Sequence, residues 1–312
     1  MAVLEDVTSP PAAGLRPRGA SRREKWQRRL PLLPALVYTI VVTQVPFLVT
    51  LWYSFQSYFW NEPGGAHWTG VSNYKEVFTD PSFRSALVRS VTMTAIAVVV
   101  AMILGVLLAL LLDKKFLGRG VVRTLIITPF LIMPAAASLI WSGPMLDPSF
   151  GLLNWLLEPF GVHHVAWLTT HAYGSVIVVM IWQWTPFMTL IILAGLQGQA
   201  ADVLEAAKVD GANAWATFRE LTLPHLRPYI ELGILLGSIY LVTAFDQVKL
   251  MTNGGPGTST TTLPFYLYQK VNFAFDIGGA AAAGVITVIL TIIVASFALR
   301  MFARVFQFEE AR

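Results

Sequence analysis

The chain has 312 residues, of which 55% are hydrophobic and only 13% are charged, and its mean hydropathy is +0.61. In soluble domains about a quarter of the residues are charged, so this composition excludes an ordinary soluble protein and predicts several membrane crossings. The absence of cysteine excludes disulfides, thiolate metal sites and a thiol nucleophile. The pI of about 9.4 comes without a basic stripe of the kind that binds nucleic acid, and we expect no nucleic-acid partner.

The first 29 residues contain Pro, Arg and Ser but no apolar core, so they lack the pattern of a signal peptide. We interpret residues 1–29 as a disordered basic tail. Residues 30–312 are predicted to form a single transmembrane domain.

Six segments of that domain approach or exceed the 20 or so apolar residues that a helix needs to cross the hydrocarbon layer. They cover roughly residues 30–56, 86–112, 121–143, 172–197, 228–250 and 278–302. Pro129, Pro134 and Gly143 interrupt the third, and such breaks are tolerated where neighbouring helices or a water-filled cavity satisfy the freed backbone groups. We therefore predict an all-α integral membrane fold with six transmembrane helices, the third facing the interior of a helical assembly.

The distribution of positive charge predicts the orientation of the chain. Most of the 22 Lys and Arg residues lie in the tail, in the 113–123 loop, in the 198–227 loop and after residue 299. Because Lys and Arg concentrate in cytoplasmic loops, we expect both termini and the 198–227 loop on the cytoplasmic side of a multi-pass protein.

The loop at residues 198–227 is too structured for a simple connection. Its pattern predicts a short helix, a stop at Asp210-Gly211, and a second helix that ends before Pro224. Asp202 is placed to cap the first helix, and Gly211 to turn the chain with a positive φ. Trp215 and Phe218 offer the large apolar area that anchors a protein partner, so we expect a cytoplasmic protein to bind this loop.

A second motif, Thr252-Asn-Gly-Gly-Pro-Gly257, follows the fifth predicted span. Its residues Asn253, Gly254, Gly255 and Pro256 are predicted to form an external turn. No Lys follows the glycines, so the motif is not a phosphate-binding loop, and the chain carries no Walker or hydrolase signature. We therefore expect a non-catalytic protein that binds no cofactor itself.

Polar and aromatic groups at membrane depth are the candidates for a solute pathway, because such groups are unfavourable when they face lipid. The candidates are Phe130, Ser138, Gln183, Trp184, Phe187, Tyr240, Thr243, Asp246 and Gln247. Gln183 is the strongest, and the combination of rings, amides and hydroxyls suits a neutral polyhydroxylated solute. The alternatives are that the rings only pack, that Ser138 and Thr243 bond their own helices, and that Asp246 pairs with Lys249.

The order Glu205-Ala206-Ala207, Asp210-Gly211-Ala212 and Leu223-Pro224 resembles the coupling loop of bacterial ABC-importer permeases of the sugar type, the maltose and glycerol-phosphate group. The 252–257 motif falls where that family carries it. The resemblance implies a type I importer permease fold in the bacterial inner membrane, with a coupling helix that docks into an ATPase subunit. The implied coupling residues are Glu205, Ala206, Ala207, Asp210, Gly211, Trp215, Phe218 and Pro224. The implied partners are a second homologous permease, two ATPase subunits that use ATP and Mg²⁺, and an extracytoplasmic solute-binding protein.

The runs Leu107–Asp113, Pro129–Pro134 and Trp182–Trp184 resemble most closely the permeases for sugar alcohols such as sorbitol and mannitol. Leu241 and Ala244 stand where maltose permeases have asparagines, which speaks against a large oligosaccharide. The resemblance therefore implies a sugar or sugar alcohol as the solute.

Two other classes of function are open to the sequence. A secondary transporter driven by an ion gradient needs ionisable groups buried within its spans, and only Asp246 and Glu231 come near, both toward span ends. A membrane-embedded enzyme would need clustered acids and histidines at membrane depth. His163, His164 and His171 do cluster, but in a predicted external loop, and we interpret them as surface residues.

Overall fold

A computed structural model of the protein describes residues 32–161 and 164–310. The predicted tail and His163 lie outside the described residues. The chain divides into two units, residues 1–49 and 50–312. The described part of the first unit is most of helix α1, Leu33–Tyr53, which carries Pro46 and no Asp, Glu, Lys or Arg.

The second unit opens with a small ribbon that the sequence did not predict. Strands β1, Gln56–Ser57, and β2, His67–Trp68, pair antiparallel, with Gln56 opposite Trp68. Helix α2, Ser72–Thr79, leads into α3, Pro81–Asp113. Asp80 caps α3, because its Oδ1 accepts a hydrogen bond of 2.8 Å from the Ser82 N–H.

The third predicted span is broken. Helix α4, Arg119–Leu131, and helix α5, Pro134–Ile140, with its π-helical extension Trp141–Met145, meet at an angle of 101°. Proline disfavours helical geometry in the residue before it, and Ile132 and Met133 are indeed extended, with ψ of 129° and 134°. The break therefore sits where Pro134 predicts it.

The remaining chain is helical, with short turns between the helices. The elements are α6 (Leu152–Leu157), a 3₁₀ turn (Glu158–Phe160), α7 (Trp167–Thr170), α8 (Ala172–Gln197), α9 (Ala201–Val209), α10 (Ala214–Thr217), a π-helical turn (Phe218–Thr222), α11 (Leu223–Val242), a π-helical turn (Val248–Thr252), α12 (Leu263–Asn272) and α13 (Ile277–Glu310).

The core of the second unit lies where α3, α8 and α11 cross. Met188 of α8 is fully buried there and fills the space left by three glycines of the facing helices: Gly105, Gly233 and Gly237. Small residues let membrane helices approach closely, so these glycines fix how near the helices come.

Among the described residues, four helices are long and apolar enough to cross a membrane, namely α1, α3, α8 and the Ile277–Ala298 part of α13, and the bent pair α4–α5 makes a fifth. The predicted fifth span, 228–250, corresponds to α11 and to the broken segment after Val242. Helix α11 carries Arg227 and Glu231, joined by an ion pair of 3.0 Å, and it is not among the qualifying helices. The predominantly helical membrane fold is confirmed, and the count of six spans stays a prediction.

Candidate functional site

Four of the predicted pathway residues meet in one aromatic cluster, which we define as Phe130, Trp184, Phe187 and Tyr240. The Phe130 ring stacks on Phe187 with centroids 5.0 Å apart, and Trp184 lies 5.8 Å from Phe130 and 5.6 Å from Tyr240. Helix α4 supplies the first ring, α8 the next two at a spacing of three, and α11 the last. Tyr240 is 60% exposed, so one side of the cluster is open.

Gln183 lies beside this cluster but is buried, with 3% of its surface exposed. Its Nε2 donates to the Ile132 carbonyl at 2.9 Å, and its Oε1 accepts from Gln247 Nε2 at 2.9 Å. The amide therefore satisfies the carbonyl that the break at Pro134 frees. Gln183 and Gln247, both predicted to contact solute, join three parts of the fold in this conformation.

Two further pathway candidates hydrogen-bond their own helices. Ser138 Oγ donates to the Pro134 carbonyl at 2.7 Å, and Thr243 Oγ1 donates to the Tyr240 carbonyl at 3.0 Å. Of the two side chains, Thr243 is exposed and Ser138 is buried. Both hydroxyls therefore hydrogen-bond the backbone of their own helices, which is the alternative given for them above.

The alternative that Asp246 forms an ion pair with Lys249 is wrong. No such pair forms within the described part of the chain, where Lys249 Nζ donates to Asn253 Oδ1 at 2.8 Å and lies 4.5 Å from the centre of the Tyr268 ring. The Lys249 cation is therefore held by the Tyr268 ring of α12 and by the Asn253 amide, which directly follows the Val248–Thr252 turn. Asp246 remains half-exposed near the pathway candidates.

The predicted external turn is a closed, hydrogen-bonded loop. Asn253 and Gly254 both have positive φ, of 48° and 82°, and a side chain at Gly254 would collide with the Phe265 ring. The Gly254 carbonyl accepts from the Thr260 N–H at 3.2 Å and from Thr261 Oγ1 at 3.1 Å. Only glycine fits this position, because its conformation and its space both exclude a Cβ.

The loop at residues 198–227 forms two helical pieces that meet at a sharp turn. Helix α9 ends at Val209, and Gly211 adopts a φ of +82°, as the sequence predicts. Asn213 then caps α10, accepting a hydrogen bond of 2.8 Å from the Ala216 N–H. The expectation that Asp202 caps α9 is wrong, because the N-cap is Ala200 and Asp202 already lies inside the first turn. Its negative charge still sits at the positive end of the helix.

The second helix does not end before Pro224, contrary to the prediction. From Ala214 the helical path continues through the π-helical turn into α11, which begins at Leu223. Pro224 follows the π-helical turn, where the regular i to i−4 hydrogen-bond pattern is already interrupted, so its missing N–H does not end the helix. The second half of the loop is therefore a direct extension of α11, so a movement of this part of the loop would move α11 with it.

The coupling-loop candidates are presented to the exterior of the chain. Glu205, Ala206, Asp210, Gly211 and Pro224 are exposed, Ala207 and Phe218 are half-buried, and Trp215 is 69% exposed. The Trp215 and Phe218 rings lie 5.9 Å apart. An exposed tryptophan beside a second ring, on a helix that enters the core, is a surface suited to docking a protein.

The loop is also fastened to the end of α8. His225 Nε2 and the Gly195 carbonyl are 3.0 Å apart, and a side chain at Gly195 would collide with Tyr229 and Leu226. Movement of the loop would therefore be transmitted to both α8 and α11, the helices that carry most of the aromatic cluster.

Sequence reasoning missed a network of hydrogen bonds and ion pairs that joins α12 to α2 and to the start of α3. Tyr266 of α12 donates to Asp80 Oδ2 at 2.6 Å, and Lys270 pairs with Asp276 at 3.1 Å and with Glu76 at 3.7 Å. Burial raises the pKa of Asp80, but hydrogen bonds from Tyr266 and Ser82 and the charge of Lys270 outweigh it and hold that pKa below its usual value. The Asp80-Pro81-Ser82 run is a helix-start signal that points to the cap but not to Tyr266.

Among the residues that the structure describes, no group of three or more His, Asp or Glu side chains is placed to hold a metal ion. The arrangement offers instead a ring-lined surface beside a broken helix, and an exposed loop that continues one of the core helices.

Comparison with known proteins shows the family. Residues 101–307 match the family described as the inner membrane component of binding-protein-dependent transport systems. A "Probable ABC transporter permease protein" of Sinorhizobium fredii is 39% identical over 266 residues, which cover 85% of this chain and 86% of that protein. The trehalose/maltose transport system permease of Thermococcus litoralis is 32% identical over 275 residues, covering 86% of this chain and 91% of its own.

Among solved structures, a chain of a bacterial alginate ABC transporter, in complex with an alginate pentasaccharide-bound periplasmic protein, is similar with a TM-score of 0.76. That match has 21% sequence identity and covers 91% of this chain and 96% of the other, so it shows a shared fold. With the family match, it confirms the importer-permease fold that the coupling-loop motif implies. The chain belongs to the inner membrane components of binding-protein-dependent transport systems, the non-catalytic permease subunits of ABC importers.

Proposed function

We propose that this chain is one of two permease halves of an ATP-driven importer that brings a sugar or a sugar alcohol into the cytoplasm. The observation that carries the proposal is the aromatic cluster of Phe130, Trp184, Phe187 and Tyr240, supplied by three helices and open at Tyr240. Aromatic faces pack against the C–H faces of a polyhydroxylated ring or chain, and the tyrosine hydroxyl supplies a polar contact.

The solute of this proposal is neutral. Lys249, three residues after Asp246, is held by Asn253 and Tyr268 and is therefore not free to pair with an anionic solute. The relative that transports trehalose and maltose supports a sugar, and the Trp182–Trp184 and Pro129–Pro134 motifs support a small sugar alcohol such as sorbitol or mannitol.

ATP would act through the coupling loop. Two ATPase subunits, which hold ATP and Mg²⁺, would each grip one permease half, here through Glu205, Asp210 and the exposed Trp215. Because the loop continues into α11 and is fastened to α8, closure of the ATPase pair would shift both helices and open the aromatic cluster to one side or the other.

The remaining partners follow from the orientation that the Lys and Arg residues predict. With both termini in the cytoplasm, the ribbon, the 146–171 connection and the Asn253–Pro256 turn face outward. A solute-binding protein would deliver solute there, and a second homologous permease would complete the pathway in the inner membrane.

The test is uptake by the whole importer, reconstituted with its two permeases, its ATPase pair and a binding protein. We expect ATP-dependent uptake of a sugar or sugar alcohol that Gly211→Asp and Glu205→Lys abolish. Gly120→Ala should not affect it, because a side chain at Gly120 of α4 meets nothing within 4 Å. Tyr240→Ala should raise KM for the solute with ATP hydrolysis preserved.

The outcomes separate the two halves of the proposal. Uptake that stops with an uncoupler while ATP persists would overturn ATP coupling and favour a gradient-driven transporter. If Tyr240→Ala leaves KM unchanged while Gly211→Asp abolishes uptake as expected, only the role of the aromatic cluster is overturned.

A further inference from the structure

A cavity of about 320 Å³ lies between the end of α3, the middle of α4 and the last two turns of α8. Its lining residues Ile126 and Leu190 are about one helical turn from Phe130 and Phe187 of the aromatic cluster. Its lining is divided along the helices. Arg123 and Gln197 lie toward the helix ends, near the basic 113–123 loop, whereas Ile126, Ile127 and Leu190 lie one to two turns deeper. A polar end and an apolar interior match the shape of an amphiphile.

Arg123 at the polar end is incompletely satisfied. Its Nη2 donates to the Leu112 carbonyl at 3.2 Å, but that oxygen also accepts from Arg119 Nε at 2.6 Å. The Nε of Arg123 is buried without any hydrogen-bond partner, and Asp113 pairs with Arg119 at 3.6 Å. In the described part of the chain no carboxylate pairs with Arg123, so no acid of this chain neutralises its positive charge.

The neighbouring loop has the composition of a membrane-surface segment. Lys114 and Lys115 are exposed, and they are followed by Phe116 and by Leu117, whose side chain is fully exposed. Cations next to exposed apolar side chains favour the surface of an anionic leaflet, because the cations are attracted to the headgroups while the apolar side chains enter the acyl boundary.

We propose that this cavity binds one anionic phospholipid of the cytoplasmic leaflet. The phosphate would pair with the Arg123 guanidinium and lie beside the Gln197 amide, while an acyl chain runs along Ile126, Ile127 and Leu190. A free phosphate shares the charge, but it leaves the apolar part of the cavity unfilled. A zwitterionic lipid brings a cation that Lys114, Lys115 and Arg119 repel.

The test is native mass spectrometry of the full-length chain in detergent, titrated with phosphatidylglycerol or with phosphatidylcholine of the same acyl chains. We expect one phosphatidylglycerol to be retained, and Arg123→Gln to weaken its binding about tenfold or more, as the loss of a hydrogen bond between charged groups requires. Arg89→Gln is the matched control, because Arg89 lies toward the other end of α3 and also has a buried guanidinium nitrogen without a partner.

A second variant tests the apolar half of the cavity. Ala194 lines it and is exposed, so Ala194→Trp fills the space without burying new bulk in the core. This variant should lose phosphatidylglycerol while it keeps Arg123, and it covers the case in which Arg123→Gln fails to fold.

Three results would overturn the proposal. The first is equal retention of the two lipids, and the second is undiminished phosphatidylglycerol binding in both Arg123→Gln and Ala194→Trp. The third is inorganic phosphate that displaces the lipid completely at comparable concentration, which would assign the site to a free anion.

Discussion

At the scale of single residues, Gln183 is the clearest case of a polar side chain whose structural role can be measured. Gln183→Leu would leave the Ile132 carbonyl and the Gln247 amide without their partners. Each lost buried hydrogen bond costs about 1–3 kcal/mol, so we expect the Tm of the purified chain in detergent to fall by roughly 5 °C or more.

Ser138→Ala is the comparison for this prediction. Ser138 is equally buried, but its hydroxyl bonds only the Pro134 carbonyl of its own helix, so its loss should lower the Tm much less. A Gln183→Leu protein with an unchanged Tm and a raised KM would show that Gln183 is a solute ligand and not a structural link.

Local geometry at this scale could be predicted from the sequence, whereas partners distant in the chain could not. Gly211 follows a helix and precedes another, so its positive φ is a local consequence of its neighbours. Proximity along the chain offers Asp246 as a partner for Lys249, yet the contacts of Lys249 are Asn253 and a tyrosine 19 residues away, on α12. No spacing rule contains that information.

At the scale of helices, Pro134 marks a break correctly, whereas the breaks predicted at Pro129 and Pro224 are wrong. Pro129 lies inside α4, which continues to Leu131. Pro134 predicts the interruption of the third span, because it forces Met133 out of helical geometry. The sequence pattern predicts a helix end before Pro224, but this proline follows the π-helical turn and the helical path continues through it into α11. The difference depends on where the helix begins, which the sequence pattern does not fix to within a residue or two.

The packing of α3 against α8 gives a prediction about stability. A Cβ at Gly105 would lie 2.6 Å from Met188 Cβ and 3.0 Å from the Thr189 nitrogen, where the backbone leaves little room to adjust. Gly105→Ala should therefore destabilise the chain by about 1–3 kcal/mol, measured by thermal or denaturant unfolding in detergent.

Gly174→Ala provides the control for Gly105→Ala, because it also lies in a long helix, α8, but has nothing within 4 Å of the added methyl group. Its stability should be unchanged or slightly higher, since alanine is the better helix former. Equal effects of the two substitutions would mean that α3 and α8 do not pack as described.

The hydrogen bond and ion pair that join α2 and the start of α3 to α12 predict that the stability of the folded chain depends on pH. The pKa of Asp80 is lowered below its ordinary value in the folded chain, so its contribution to stability is complete above the ordinary pKa and is lost as the pH falls through the lower, folded pKa. Unfolding followed between pH 7 and about pH 3 should show a decline in Tm at the acid end that Asp80→Asn reduces.

Asparagine is a suitable replacement because it can still cap α3 through its side-chain oxygen while it removes the titrating charge. Tyr266→Phe should reduce the decline in the same way, since it removes the hydrogen bond that favours the charged form. Identical pH profiles for the parent chain and both variants would exclude Asp80 as a source of acid lability.

At the scale of the whole molecule, the family and its helical fold were accessible from the sequence because the coupling-loop motif is local and the apolar spans are long. What the sequence left open is the path of the chain around α11. This helix carries Arg227 and Glu231 near its start and gives way to irregular structure after Val242, so length and apolarity alone do not establish that it crosses the membrane. The ion pair between the two charges reduces the free energy needed to bury them, which favours a crossing.

That crossing can be tested directly because the chain contains no cysteine. Single substitutions Ser149→Cys, Lys208→Cys and Thr258→Cys place one thiol on each of three exposed connections, before α8, between α8 and α11, and after α11. If α8 and α11 both span the membrane, a membrane-impermeant maleimide should label Ser149→Cys and Thr258→Cys in intact cells, and Lys208→Cys only after the membrane is opened. Labelling of Lys208→Cys and Thr258→Cys under the same condition would place both ends of α11 on one side, leave an odd number of spans, and contradict the prediction that both termini are cytoplasmic.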